Sequence, residues 1–257
     1  MDIKILVATH KAYWMPEDDV YMPVHVGREG KQDLGFTGDN TGDNTGDNIS
    51  LKNANYCELT GLYWAWKNLQ CDYIGLCHYR RYFANSHHGS DLDAKKAAIF
   101  HKADYEKLLQ SYDVILPKKR NYYIETVRSQ YEHAHNKRDL DEVERIIAEH
   151  YPEYSDAFAK VMGRTKLHIL NMFAMKKELF DEYCAWLFDI LFELEKRIDI
   201  SSYNQYEARV FGFLSERLFN VWLEKKQLKV VEADVVFLEK INWLDKGWKF
   251  LMRKVKG

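Results

Sequence analysis

The sequence predicts an α/β fold, with a sheet flanked by helices and a helical C-terminal part. Short apolar runs of strand length alternate with longer segments in which apolar residues recur every three or four positions, a spacing typical of helices. Two of the short runs, at residues 3–10 and 73–77, lead into clusters of polar side chains. Because open α/β sheets bind ligands outside the carboxyl ends of their strands, these clusters indicate a ligand site.

Length and composition exclude several classes of protein. A chain of 257 residues with 46% hydrophobic residues can form one α/β domain with a sizeable core. Its formal net charge of −2 argues against a general nucleic-acid-binding protein, which is usually basic. The four cysteines show no Cys-x-x-Cys spacing, so we expect reduced thiols. Without an apolar signal segment or a run long enough to cross a bilayer, a cytoplasmic protein is expected.

The first predicted strand covers residues 3–10, and a second is predicted at residues 21–27. In nucleotide-binding sheets the first strand delivers its last residues to the nucleotide. Thr9, His10 and Lys11 are therefore candidate contacts to a base, a ribose or a phosphate. The alternative is that they are ordinary polar residues of a surface loop.

A loop is predicted over residues 37–48, which repeat Thr-Gly-Asp-Asn three times. Gly, Asp and Asn favour turns and tolerate positive φ. The carboxylates of Asp39, Asp43 and Asp47 suggest calcium ligands. However, their spacing and the missing downstream Glu do not fit an EF-hand.

A helix and then a strand are predicted between residues 49 and 83. Asn53 or Asn55 starts the helix, Asn68 marks its end, and the residues between them carry one apolar stripe. The stripe consists of Tyr56, Leu59, Tyr63 and Trp66.

The strand over residues 73–77 is followed by His78, Tyr79, Arg80 and Arg81. Arg side chains bind carboxylates and phosphates through two parallel hydrogen bonds, so this cluster predicts an anion site. The alternative is that both Arg side chains pair with carboxylates at the surface.

Later elements follow from the same patterns. Helices are predicted at residues 102–112, 140–150, 178–197 and 207–225, and strands at 113–117, 170–175 and 230–237. The helix at 207–225 carries Glu216 on an otherwise apolar stretch, and a buried charge is costly unless it is paired. Glu216 is therefore a candidate functional residue. The alternative is an arrangement of Glu216 with Arg217 that stabilises the fold.

Several phrases of the chain resemble one bacterial family. The family comprises exopolysaccharide and capsular-polysaccharide glycosyltransferases, long catalogued as a domain of unknown function, and some members are assigned galactofuranosyltransferase activity. The phrases are Thr-Gly-Asp-Asn-Ile-Ser (45–50), Tyr-Cys-Glu-Leu-Thr-Gly-Leu-Tyr-Trp-Ala-Trp-Lys-Asn (56–68) and Gly-Leu-Cys-His-Tyr-Arg-Arg-Tyr-Phe (75–83), with shorter matches at 7–11, 171–177 and 209–217. The resemblance implies a glycosyltransferase-A-like, Rossmann-like fold. It also implies transfer of a sugar, galactofuranose in particular, from a UDP-sugar to a polyprenyl-linked oligosaccharide.

The resemblance and the strand-end argument together assign roles to individual residues. Arg80 and Arg81 stabilise the leaving diphosphate, and Glu216 or Glu207 acts as base. The residues expected to bind the nucleotide sugar are Thr9, His10, Lys11, Asp47, Asn48, Lys52, Asn53, His78 and Tyr79. The residues expected to bind the acceptor are His168, Asn171 and Arg209. The extra Thr-Gly-Asp-Asn copies depart from the family pattern, so only Asp47 and Asn48, which lie nearest the helix, are assigned.

Many transferases of the implied fold hold the diphosphate with an Asp-x-Asp motif and a divalent metal. Here the corresponding place carries His78, Tyr79, Arg80 and Arg81, and Arg neutralises a diphosphate directly. We therefore expect neither a metal nor another cofactor. A divalent ion held by the repeated Asp residues is the less favoured alternative.

Residues 1–238 are predicted to form the transferase domain, with a helical acceptor-side insertion at 121–165. Residues 239–257 form a basic, aromatic tail in which Trp248 and Leu251 share a helix face. We expect this tail to bind the inner face of the plasma membrane, near a lipid-linked acceptor. The alternative is a C-terminal helix packed on the domain.

Two other functions are considered. One is a catalytically inactive carbohydrate-binding or scaffold subunit of a polysaccharide assembly complex. The other is a nucleotide-dependent phosphotransferase, which is disfavoured because the sequence has no Walker-type loop.

Overall fold

An eight-stranded sheet covered by helices forms the fold, in a computed structural model that describes residues 1–40, 47–86 and 89–239. The predicted α/β class is confirmed. The strands are β1 (Ile3–Thr9), β2 (Tyr21–His25), β3 (Thr37–Gly38), β4 (Tyr73–His78), β5 (Arg81–Ala84), β6 (Val114–Pro117), β7 (Arg120–Asn121), β8 (Lys166–Leu167), β9 (Phe173–Lys176) and β10 (Val230–Phe237). Of these, β7 and β8 form a separate two-stranded ribbon.

The helices lie between and after these strands. They are α1 (Asn53–Tyr56), α2 (Leu59–Asn68), α3 (Leu92–Ala97), α4 (Lys102–Leu109), α5 (Val127–Ala134), α6 (Lys137–His150), α7 (Ser155–Met162), α8 (Lys177–Arg197) and α9 (Val210–Lys226). Side-chain caps fix some of their starts, since the Thr126 hydroxyl accepts from the Ser129 amide at 3.1 Å and begins α5.

The sheet has the order β3-β2-β1-β4-β5-β10-β6-β9. Strand β1 pairs in parallel with both β2 and β4, so the carboxyl ends of these three strands meet at one edge. The predicted strands at residues 3–10, 21–27 and 73–77 are confirmed as three adjacent strands of this sheet.

Strand β4 also pairs with β9, and this contact closes β4, β5, β10, β6 and β9 into a ring. The ring depends on a close approach at Gly75. A Cβ atom at this position would lie 2.6 Å from the Phe173 carbonyl oxygen and 2.6 Å from the Ile5 side chain. Gly75 is therefore required by packing between neighbouring strands.

Core residues lie on both faces of the sheet, because successive side chains of a strand point to opposite faces. On one face Leu6 and Leu76 pack in a cluster with residues of α2, α8 and α9. On the other face Ile5 and Cys77 pack in a cluster with Tyr105 of α4. The helix predicted at residues 178–197 is confirmed as α8, and ten of its residues are buried.

The prediction of a single helix up to Asn68 is wrong, because the helix is interrupted at Cys57. Cys57 has φ 54° and ψ −132°, which ends α1 and reorients α2. The Asn53 side-chain amide donates to the Cys57 carbonyl at 2.7 Å. In a continuous helix, the Cys57 carbonyl would instead accept a hydrogen bond from a backbone amide of the same helix.

Two other predicted boundaries are corrected. The strand predicted at 170–175 begins at Phe173, because Leu170 and Asn171 form a turn with φ 82° and φ 51°. The helix predicted from Glu207 starts as a 3₁₀ turn over Glu207–Arg209 and becomes α-helical at Val210.

Helices α5, α6 and α7 occupy the segment predicted as a helical insertion. The β7–β8 ribbon brackets this segment, with Asn121 opposite Lys166. Buried residues of all three helices belong to the same cluster as α8 and α9. The proposed division into domains stays a prediction.

Several expectations fall on residues that the structure does not describe. Asp43 and residues 240–257, which include nearly all of the predicted membrane-binding tail, lie outside the described ranges. Within those ranges, no helix is both long and apolar enough to cross a membrane.

Candidate functional site

A cavity of about 480 Å³ lies at the carboxyl ends of β1, β2 and β4. Two walls come from these strand ends and from the first turns of α9, and a third comes from α1 and the Cys57 break. Strands β4 and β5 face each other at His78 and Arg81, so the β4–β5 hairpin places Tyr79 and Arg80 in its turn. The polar side chains lining the cavity are His10, Asn53, Glu58, His78, Arg80, Arg81, Gln205, Arg209 and Glu216.

Arg81 is half-buried in the cavity wall. Within the described residues no carboxylate lies within ion-pairing distance of its guanidinium, which lies 5.8 Å from the centre of the Phe237 ring. Burial lowers the pKa of Arg81, although Glu58 opposes that effect. A buried cation without a close counterion is suited to bind an anionic ligand.

Arg80, in the turn of the β4–β5 hairpin, forms an ion pair with Glu239. Its Nη1 lies 2.5 Å from Oε2 of Glu239, and the Lys11 Nζ lies 3.9 Å from the other oxygen of that carboxylate. The Arg80 guanidinium stacks 4.6 Å from the centre of the Tyr79 ring. Glu239 thus occupies the position on Arg80 and Lys11 that an anionic ligand would take.

Glu216 projects from α9 into the cavity, where its side chain is 20% exposed. It accepts a hydrogen bond from the Leu170 amide at 2.8 Å and lies 3.1 Å from Arg217. Burial raises the pKa of Glu216 above its ordinary value, and this effect exceeds the opposing effect of Arg217. A carboxyl group with a raised pKa in a cavity is suited to exchange protons near neutral pH.

A turn at Leu170 and Asn171 holds three cavity side chains at once. The Leu170 amide donates to Glu216, and the Asn171 side-chain amide donates to Glu58 at 2.8 Å. The His78 Nε2 lies 2.7 Å from the Leu170 carbonyl, so this nitrogen carries the proton. Burial lowers the pKa of His78. Its imidazole is therefore neutral near pH 7 and fixed in one tautomer.

Strained backbone conformations border the cavity on two sides. Cys57, Leu170 and Asn171 all have positive φ, which costs roughly 1–3 kcal/mol for each non-glycine residue. Such conformations persist where the surrounding contacts impose them. Burial raises the pKa of Cys57 to about 11, so its thiol is protonated at neutral pH and is not a nucleophile.

The structure brings half of the predicted site residues into this cavity. They are His10, Asn53, His78, Tyr79, Arg80, Arg81, Arg209 and Glu216. Burial and the neighbouring cations Arg80 and Lys11 lower the pKa of His10. It is therefore a neutral hydrogen-bonding group near pH 7 rather than a phosphate-neutralising cation.

Other predicted nucleotide-sugar ligands lie outside the cavity. Thr9 is buried, and its hydroxyl donates to the Lys11 carbonyl at 2.6 Å. Lys52 pairs with Glu195 of α8 at 2.5 Å. Asp47 accepts from the Tyr63 hydroxyl at 2.7 Å, and the Asn48 side chain accepts from the Ser50 amide at 3.0 Å.

Glu207 and two of the predicted acceptor ligands also lie away from the cavity surface. Glu207 caps its own turn by accepting from the Asn204 amide at 3.3 Å. His168 is buried 2.7 Å from the Pro117 carbonyl and does not line the cavity. Asn171 does not line the cavity, but its side-chain amide donates to Glu58 and to the Gly212 carbonyl, which both line it.

Sequence reasoning missed Glu58 and Gln205. A Glu in the middle of a helical pattern is usually solvated, so its residue type carried no signal. Only the break at Cys57, which depends on the side chain of Asn53, turns Glu58 into the cavity.

Asp39 of the repeated loop has a structural role. It is buried and accepts hydrogen bonds from the Gly27 amide at 2.6 Å and from the Ser50 hydroxyl at 2.5 Å. Across the described part of the chain, no three His, Cys, Asp or Glu side chains are grouped to hold a metal ion.

Comparison with known proteins gives one family and one solved structure. A family model described as "Domain of unknown function (DUF4422)" matches residues 4–227. The structure of apo WbbM, a bifunctional glycosyltransferase, superimposes with a TM-score of 0.84 at 34% sequence identity, over 93% of this chain and 46% of that chain. The present chain therefore spans less than half of WbbM. Among curated proteins, none matches the chain.

Proposed function

Because the chain belongs to the DUF4422 family, we propose that it is a glycosyltransferase that takes its sugar from a nucleotide-sugar donor. The likeness to a bifunctional glycosyltransferase supports this proposal. The observation that carries it is the cavity itself, which Arg80, Arg81 and Arg209 line together with Glu58 and Glu216 at the carboxyl ends of parallel strands. A glycosyl transfer releases a negatively charged diphosphate and removes a proton from the acceptor hydroxyl. Cations can stabilise the diphosphate, and a carboxylate can accept the proton.

Two of the cations, Arg80 and Arg81, serve the leaving group. When the bond between the sugar and the diphosphate breaks, its electrons remain on the phosphate oxygen. Arg81 lies half-buried without a close carboxylate, so it can bind that oxygen. Arg80 joins it once the diphosphate replaces Glu239. We propose that these two side chains take the place of a divalent metal.

The carboxylates serve the acceptor. In an inverting transfer, an acceptor hydroxyl forms a bond to the anomeric carbon while the bond to the diphosphate breaks. The hydroxyl proton passes to a general base, for which we propose Glu216. Its raised pKa favours accepting a proton near neutral pH. Glu58, held by Asn171, is the alternative base in the same cavity.

The finer assignment rests on the resemblance of the sequence to polysaccharide transferases. We propose UDP-galactofuranose as the donor and a lipid-linked oligosaccharide at the cytoplasmic face of the membrane as the acceptor. The basic, aromatic residues 240–257 support a membrane surface as the location.

Thermal stabilisation by a panel of nucleotides and nucleotide sugars tests the proposal. The wild-type protein should be stabilised by uridine nucleotides, and Arg81→Ala should lose this stabilisation. Arg145→Ala is the matched control, because Arg145 pairs with Glu142 on the surface of α6, outside the cavity. If neither nucleotides nor nucleotide sugars stabilise the wild type, the protein is better explained as a carbohydrate-binding or scaffold subunit.

A further inference from the structure

Three rings from separate segments pack together beside the cavity, and one of them, Phe213, lines it. Phe213 of α9 lies 4.2 Å from the His135 ring and 5.1 Å from the Tyr206 ring, measured between ring centres. Tyr206 and His135 also stack on each other, at 5.8 Å and 19°. The rings stack on one another to form one aromatic surface, of which Tyr206, at 46% exposed, is the most accessible member.

This aromatic surface adjoins the proposed base. Phe213 lines the cavity and precedes Glu216 by three residues on α9, so both side chains lie on the same face of the helix. Gln205 and Arg209, on either side of Tyr206 in the chain, line the cavity as well. The surface thus combines apolar rings with an amide and a guanidinium that donate hydrogen bonds.

We propose that the surface formed by Tyr206, Phe213 and His135 binds the sugar ring of the acceptor. A sugar ring has a face of C–H groups, which packs on an aromatic ring, and an edge of hydroxyl groups, which need polar partners. Gln205 and Arg209 supply those partners, and Glu216 lies about one helical turn from Phe213 on the same face of α9. This inference rests on the proposed function, because only a transferase has an acceptor.

The position of the cations separates this subsite from the donor. Arg80, Lys11 and Tyr79 cluster at the ends of β1 and β4, on the strand side of the cavity. A donor that places its diphosphate there leaves the α9 side to the second substrate.

Saturation-transfer NMR with a panel of octyl glycosides tests the subsite without requiring turnover. The panel contains octyl glucoside, galactoside, mannoside and rhamnoside. At least one glycoside should show sugar-ring contact with the wild type, and Tyr206→Ala should raise its Kd about tenfold. Tyr206→Phe, which keeps the ring, should bind as the wild type does. Tyr123→Ala removes an 80% exposed Tyr outside the cavity and should have no effect.

Two results would overturn this inference. One is that no glycoside of the panel contacts the wild-type protein, and the other is that Tyr206→Ala binds the glycosides as well as Tyr206→Phe does. A third measurement separates the inference from the proposed function. If glycosides bind through Tyr206 while nucleotide sugars do not bind at all, the subsite stands and the transferase proposal fails.

Discussion

At the scale of single residues, Glu216 combines a cost to stability with a proposed role in chemistry. Because the folded protein raises the pKa of Glu216, the folded state binds this proton more tightly than the unfolded chain does. Ionising the carboxyl at neutral pH therefore lowers the free energy of unfolding. This loss disappears as the pH falls below the ordinary pKa of Glu, about 4.3.

Glu216→Gln should therefore stabilise the protein at pH 7.5 and abolish most of its turnover. Gln keeps the acceptor for the Leu170 amide but cannot ionise. We expect a higher Tm than the wild type at neutral pH, a smaller difference near pH 4, and a loss of kcat of roughly 10²–10⁴-fold. Differential scanning calorimetry at both pH values and a transfer assay measure these effects. A variant that is destabilised at neutral pH and still active would show that Glu216 only supports the fold.

The two neighbouring Arg residues of the hairpin should contribute unequally to donor binding. Arg81 meets a diphosphate without breaking an ion pair, whereas Arg80 must first leave Glu239. Charge-assisted hydrogen bonds contribute about 1.5–3 kcal/mol. Arg81→Ala should therefore raise the donor Kd about tenfold or more, and Arg80→Ala should raise it less. Titration calorimetry with the donor gives both values, and equal donor affinity in both variants and the wild type would contradict the assignment.

At the scale of elements, the Leu170–Asn171 turn positions cavity side chains through hydrogen bonds to His78, Glu216 and Glu58. Asn171→Ala removes the hydrogen bond to Glu58 and the contact with the Ser215 hydroxyl at 3.2 Å, and that hydroxyl keeps the Gly212 carbonyl as its acceptor at 2.9 Å. We expect kcat to fall about tenfold or more while the donor Kd changes little, because Asn171 holds a carboxylate and touches no cation of the site.

Asn220 provides a matched control for this turn. It is also a buried Asn, and its side chain bonds to backbone atoms only, since its amide donates to the His168 carbonyl at 2.8 Å and to the Glu216 carbonyl at 2.7 Å and its oxygen accepts from the His168 amide. Asn220→Ala should lose a similar amount of stability, about 1–3 kcal/mol, and should keep kcat. If both variants lose kcat in proportion to their stability, the turn supports the fold alone. Urea unfolding and steady-state kinetics on the same preparations decide between these outcomes.

The same elements show how far a sequence can be interpreted. Strands β1 and β10 and helix α8 were predictable because each depends on a local apolar pattern of 2 or 3.6 residues. The Arg80–Arg81 hairpin was placed correctly at a strand end, although β5 was not expected. Glu58 was missed because its direction depends on Asn53 binding the Cys57 carbonyl, a contact that no periodicity encodes. Lys52 was wrongly assigned to the nucleotide-sugar site for a similar reason. It pairs with Glu195, which is distant in sequence, and lies outside the cavity.

At the scale of the whole molecule, the proposed transfer depends on protein cations rather than on a bound ion. Activity should therefore survive treatment with a chelator such as EDTA, measured by product formation before and after dialysis. The His78–Arg81 cluster motivates this prediction, because it places two Arg side chains and no carboxylate after β4. Loss of activity that either Mg²⁺ or Mn²⁺ restores would indicate that the repeated Asp residues bind a metal after all.

The ion pair between Arg80 and Glu239 gives the molecule an internal counterion. Donor binding at Arg80 is then an exchange of one anion for another, and the net charge gained by the site is smaller than for a free cation. Affinity should consequently depend less on ionic strength than two exposed Arg residues would predict. The exchange also couples the two anions reciprocally. The donor weakens the binding of Glu239 to Arg80, and removal of Glu239 from Arg80 strengthens donor binding by the same factor. Because Glu239 immediately precedes the basic C-terminal residues, a surface that attracts those residues would also regulate the affinity for the donor.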